Sequence, residues 1–259
     1  MALFRVLVAS LLLASSAGAQ AIRVGVAISL KEAMGDLVAA YESQAGGQVE
    51  LIFGSSGQIQ SQIINGAPID VFISAANKQV DELIKQGLAI DTSRRVVAGN
   101  RVVLVVPADA KHPPINFQSL ADPNVKRVAI GEPRTVPAGA YAMQVLRSLN
   151  QVDALRDRII YGANVRQVLS YVERGEVSAG IVYSTDARES GENVKVVAVA
   201  DPTTHEPVVY PAVMIKASPN QDQDKRFLDF LASDKAKAIL SAKGFTSGAS
   251  EPVTTPAGE

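Results

Sequence analysis

The sequence contains no cysteine, no tryptophan, two histidines and no excess of either charge. Without cysteine there is no disulfide, no thiolate metal site, no thiol nucleophile and no residue to carry a thioether-linked lipid. His112 in KHPP and His205 in THEP both sit in proline-bearing turns, poor places for a general base beside a serine. The 25 lysines and arginines against 26 aspartates and glutamates give a net charge of -1, so there is no basic excess that would point to nucleic acid or to anionic membranes. Any anion bound here must be held by local geometry. Long apolar runs are also scarce. VLVASLLLA near the N-terminus is shorter than the ~20 residues of a spanning helix, and no later segment is long enough.

What is present is a chain of 259 residues, 47% hydrophobic, enough to bury a large core in one big domain or two lobes. Residues 1–21 read as a cleaved export signal: a basic start through Arg5, the apolar run, then small residues around Ala17-Gly18-Ala19 and Ala19-Gln20-Ala21. The expected product is free in the periplasm. From Ile22 onward, β-branched runs alternate with helical spacing: IRVGVAI, then KEAMGDLVAAYESQAG, then QVELIFG, then GQIQSQIING closed by Gly66. DVFISA, NKQVDELIKQG and the long VVAGNRVVLVVPA continue the pattern, and a second alternating set follows from KRVAIGEP to NVKVVAVA, with SAGIVYST read as one strand. VVYPAVMIKA is a further strand, and DQDKRFLDFLASDKAKAILSAKG gives one or two helices stopped by Gly244.

Alternation of this kind predicts an α/β fold with helices covering mostly parallel sheets. Two such sets, joined by long strands near Gly99–Val106 and Val208–Ile215, predict two lobes crossed twice by the chain. Lobe one is expected over 22–100 plus 211–247, lobe two over 101–210, and a flexible tail over 248–259. Ligands of open α/β sheets settle beyond the carboxyl ends of strands and between domains, which singles out the strand-to-helix junctions.

Four junctions stand out. In AISLKE, Ser29 with Glu32 three residues on reads as a capping box. In FGSSGQIQSQI, Ser55, Ser56 and free backbone N–H groups gather at a helix start, an anion site that needs no lysine. The stretch is neither a phosphate loop nor a nucleophile elbow, since Gln58 stands where the second glycine would be. In GEPRTVPAGAYA, Pro137 presets a first helical turn and leaves the N–H groups of Ala138 and Gly139 unpaired. In ANVR, Asn164 is a good cap and Val165 offers its N–H, while Tyr183 in GIVYST can send a phenol toward the same cleft or pack in a core.

The ordered set AISLKEAMGDL, FGSSGQIQSQIINGAPIDVFISA, GNRVVLVVP, GEPRTVPAGAYA, NVRQVLSYVERGE, GIVYSTDA and Gly244-Phe245 resembles the periplasmic molybdate-binding proteins of ABC importers, from about Ile22 to Phe245. The resemblance implies the two-lobed fold of periplasmic binding proteins (type II-like), with each lobe a mostly parallel sheet flanked by helices. It implies capture of molybdate or tungstate in the cleft and delivery to a membrane permease, with no cofactor, no catalysis and a monomeric chain. Carried over residue by residue, it places the oxyanion on Ser29, Ser56, the backbone of Ala138 and of Val165, and the hydroxyl of Tyr183, none of them a cation ligand. It assigns no role to Arg134 or Arg166. Where some relatives have Thr-Asn after the first serine, this chain has Lys31-Glu32.

Two other readings use the same residues. Sulfate would be recognised by the same neutral donors. A serine hydrolase would use Ser55 or Ser56, with Lys31 or Lys78 as the base for want of a suitable histidine. A ferric site would want clustered tyrosines and carboxylates, and only Tyr183 stands at a junction.

Overall fold

The computed structural model describes residues 21–45 and 47–248. The export signal expected over 1–21 and the tail expected over 248–259 lie, except for Ala21 and Gly248, outside the described residues. Along the chain run β1 (Ile22–Ala27), α1 (Lys31–Ala45), β2 (Val49–Gly54), α2 (Ser56–Ile64), β3 (Val71–Ile73), α3 (Asn77–Lys85) and β4 (Arg95–Gly99). Then come β5 (Val102–Pro107), β6 (Val128–Gly131), α4 (Pro137–Ser148), α5 (Val152–Leu155), β7 (Ile159–Gly162), α6 (Val165–Glu173), β8 (Ala179–Tyr183), α7 (Ser184–Glu189) and β9 (Val194–Val199). The chain ends with β10 (Val209–Met214), α8 (Gln221–Leu231) and α9 (Asp234–Ala242).

These strands form two five-stranded sheets, ordered β2-β1-β3-β10-β4 and β7-β6-β8-β5-β9. Each is mostly parallel. In each, the fourth strand is antiparallel to both neighbours: β10 against β3 and β4, β5 against β8 and β9. Both are the strands by which the chain arrives from the other lobe, through Asn100-Arg101 into β5 and through residues 200–208 into β10. The two lobes therefore share one topology and are joined by two crossings.

Burial follows from covering both faces of each sheet. β5 is buried at all six positions, as is β10, because helices or strands lie on either side. In lobe one the inward residues sort by face. Val71, Ile73 and Ala212 join the large cluster under α1, α8 and α9, whereas Phe72 and Val213 join Ile59, Ile63, Val80 and Leu83 beneath α2 and α3. Helices α2 and α3 stop at Gly66 and Gly87, whose φ values of 81° and 71° suit glycine. α8 packs on α1 and β10, and α9 on α1 and β4, so the C-terminal helices complete the first lobe. The sequence reading of SAGIVYST as one strand is corrected here: β8 ends at Tyr183, and Ser184 opens α7, because a helix must leave the sheet where the junction begins.

Candidate functional site

The junctions meet in the cleft. The 3₁₀ turn that leads into α1 and the starts of α2, α4 and α6, with the end of β8, surround one small cavity of about 10 Å³. Ser29, Ser55, Ser56, Ala138, Val165 and Tyr183 line it, together with Ala, Ile, Gly, Val and Pro, and no charged side chain does. Each helix start carries roughly half a positive charge, so four of them supply on the order of two.

Each donor is set by its local structure. Ser55 is the N-cap of α2: its hydroxyl accepts from Gln58 N at 3.3 Å, and Gln58 Oε1 accepts from Ser55 N at 3.0 Å. That leaves Ser56 as the first helical residue, fully buried, its N–H beyond the reach of any intrahelical acceptor. Its Oγ accepts from Ala75 N at 2.9 Å, so its own proton is free to point into the cavity. Ala138 follows Pro137 at the start of α4, behind the extended Val136. Val165 opens α6, with Asn164 as the cap accepting from Gln167 N at 3.0 Å. Both N–H groups are first-turn donors without a helical partner.

The sequence reading of Ser29 and Glu32 as a capping box does not hold. Ser29 lies in a 3₁₀ turn, Ile28–Leu30, that runs straight into α1, so no cap geometry forms there. Its hydroxyl instead meets Tyr210 Oη at 3.0 Å, and Tyr210 Oη also accepts from Asn100 Nδ2 at 3.2 Å. Asn100, Tyr210 and Ser29 thus form one buried hydrogen-bonded chain that ends at the cavity. Burial pushes the phenols of Tyr183 and Tyr210 well above their ordinary range, so both remain proton donors. Their rings stack edge to face at 6.1 Å, with Phe245 beyond Tyr210 at 5.5 Å. Asn100 also donates to Thr185 Oγ1 at 2.8 Å and accepts from Ser184 Oγ at 2.9 Å, which ties the first crossing to the end of β8.

Away from the crossings, three polar contacts among the described residues join the two walls of the cleft directly. Gly57 N donates to Thr135 O at 2.9 Å, Tyr183 Oη lies 3.5 Å from Ala75 O, and Arg166 reaches Glu32. Arg134 is not among them, its side chain being 86% exposed beside Glu132. Tyr210, Asn100 and Ala75 were not singled out as functional in the sequence. Their partners lie far away along the chain, and only the junction rule applied to both crossings would have drawn attention to Asn100.

Asp186, fully buried in α7, is pushed up to about 7, chiefly by burial and against the pull of Arg166. A carboxyl with a raised folded value holds its proton more tightly folded than unfolded, so its contribution to stability is full below about 3.8 and is lost as pH rises through about 7. The difference in melting temperature between the native protein and Asp186→Asn is expected to move in favour of the native protein as buffers go from neutral to acidic. A flat difference in a thermal-denaturation series would contradict this.

The family model described as bacterial extracellular solute-binding protein matches residues 22–246. A molybdate-binding protein of Haemophilus influenzae is 37% identical over 236 residues, 90% of this chain and 92% of its own. A putative ABC transporter substrate-binding lipoprotein of Bacillus subtilis is 42% identical over 194 residues, 75% of this chain and 74% of its own. Among solved structures, the periplasmic molybdate-binding protein of Azotobacter vinelandii superposes with a TM-score of 0.77 at 28% identity, covering 87% of this chain and 98% of that one.

Proposed function

The chain belongs to the family of bacterial extracellular solute-binding proteins, and from that premise we propose that it captures molybdate in the interlobe cleft, outside the cytoplasm, and hands it to the membrane permease of an ABC importer. The observation that carries this reading is the uncharged shell of donors gathered at four helix starts around one small cavity. Ser29 and Ser56 give hydroxyls and N–H groups, Ala138 and Val165 give N–H groups, and Tyr183 gives its phenol. The lobes run over 22–100 with 211–247 and over 101–210. The protein acts as a monomer, released into the periplasm by cleavage of its export signal, with no cysteine to anchor it by lipid. It is a carrier without catalysis and without a cofactor.

Neutral donors suit a tetrahedral dianion. Each charge-assisted hydrogen bond contributes roughly 1.5–3 kcal/mol net, so six or seven could offset lost hydration and lobe closure. Attraction to a lysine or arginine varies little with anion radius, whereas a fixed shell of N–H and O–H groups tests size. Tungstate, nearly the same size, is accepted as well, and the smaller sulfate fills the shell poorly. In a thermal-shift series, molybdate and tungstate are expected to raise the melting temperature strongly, with sulfate and phosphate far behind. A sulfate shift equal to that of molybdate would refute the choice of ligand.

A further inference from the structure

Arg166, on the first turn of α6 in the second lobe, donates from Nη2 to Glu32 Oε2 on the first turn of α1 in the first lobe. Its Nε stands 2.8 Å from Asp186 Oδ1 in α7, within its own lobe. Among the ion pairs of the described residues, Arg166–Glu32 alone joins the two lobes. Its members adjoin the cavity without lining it: Glu32 follows Ser29 by three residues, and Arg166 follows Val165. The guanidinium is thus moored on one side by a fully buried carboxylate and reaches across the cleft with its free end.

The mooring is close but poorly aligned. Arg166 Nε and Asp186 Oδ1 are both buried, and neither has a hydrogen-bond partner of good geometry. Buried polar atoms in that condition are costly, so the Asp186 side is the weaker link of the cluster and the bond to Glu32 the firmer one. Arg166 and Glu32 are 22% and 31% exposed, screened less than a surface pair but still within reach of salt.

We infer that Glu32, Arg166 and Asp186 form an interlobe latch, in which Arg166 is the positioning residue and Glu32 the catch, and that this latch sets how long the cleft stays shut on its ligand. The inference rests on the ligand reading given above. A contact that exists only in the closed state stabilises that state and leaves the open one untouched. Because ligand meets the open cleft and escapes through reopening, the latch acts on dissociation far more than on association.

Glu32→Gln is the informative variant: it keeps the side-chain shape and leaves Arg166 paired with Asp186, whereas truncating Arg166 would strand a buried carboxylate. Stopped-flow titration with molybdate, read by tyrosine fluorescence, is expected to show dissociation about tenfold faster in Glu32→Gln and association within about twofold of the native rate. Raising salt should speed dissociation in the native protein and do so much less in the variant, a difference that a merely structural role for Glu32 would not produce. Equal dissociation rates, or the same salt dependence in both proteins, would overturn the inference.

A second measurement does not depend on the ligand. Ser43→Cys on α1 and Ile115→Cys in the second lobe, both exposed positions in a chain without native cysteine, accept spin labels. The interlobe distance in the free protein should shift to longer values in Glu32→Gln. If neither protein binds molybdate, the ligand reading falls, and the label distances decide on the latch alone: a shift sustains it and an unchanged distribution removes it.

Discussion

Gly57→Ala is expected to leave the protein folded and to weaken ligand capture by at least about a hundredfold. A Cβ at this position would lie 2.6 Å from Thr135 Cα, 2.7 Å from its carbonyl oxygen and 2.9 Å from its Cβ, across the cleft. Carbon atoms in contact stand about 3.5–4.0 Å apart, and two of these three are main-chain atoms that cannot swing aside, so the lobes must stop roughly 1 Å short of closure. The donors of one wall then leave hydrogen-bond range of a ligand held by the other. Gly57 is the second residue of α2 and is not among the glycines of positive φ, so alanine suits the helix itself and can favour it by up to about 1 kcal/mol. Calorimetric titration with molybdate, paired with the melting temperature of the free protein, checks both halves. Native affinity in this variant would show that the cleft does not close as described.

The second large effect separates two adjacent serines. Ser56→Ala removes a hydroxyl whose oxygen is fixed by Ala75 N–H and whose proton is free for the ligand, and molybdate affinity should fall at least about tenfold. Ser55→Ala removes a helix cap instead, costing about 1 kcal/mol of stability with little change in affinity. The pair of titrations and melts crosses over: one variant loses binding, the other stability. If Ser55→Ala were the variant to lose binding, the assignment of roles would be reversed.

What the sequence could show is whatever is local. Strand and helix periods, the glycine stops at Gly66 and Gly87 and the cap at Asn164 are short-range patterns, and all were legible. The rule that ligands gather where helices leave parallel strands also brought together residues from both lobes, and Ser29, Ser56, Ala138, Val165 and Tyr183 line one cavity. Long-range pairing was out of reach. Tyr210 looked like one more residue of an apolar strand, since nothing in VVYPAV announces a partner 181 positions earlier. Glu32 was read within its own turn because the capping-box spacing is local, while the group that claims it stands 134 residues away. Asp186 was hidden because β8 was read as continuing into the residues that open α7.

The mirrored topology has a consequence for the order of assembly. Lobe two is one uninterrupted stretch from β5 to β9 and can complete its sheet as soon as β9 has been made. Lobe one cannot. The strand that fills the gap between β3 and β4 is β10, so β4 has no neighbour in its sheet until residues 209–214 arrive, and α8 and α9 come later still. A chain that emerges N-terminus first therefore keeps its leading half unfinished until its last quarter is out, and the half that begins the sequence is the last to be sealed.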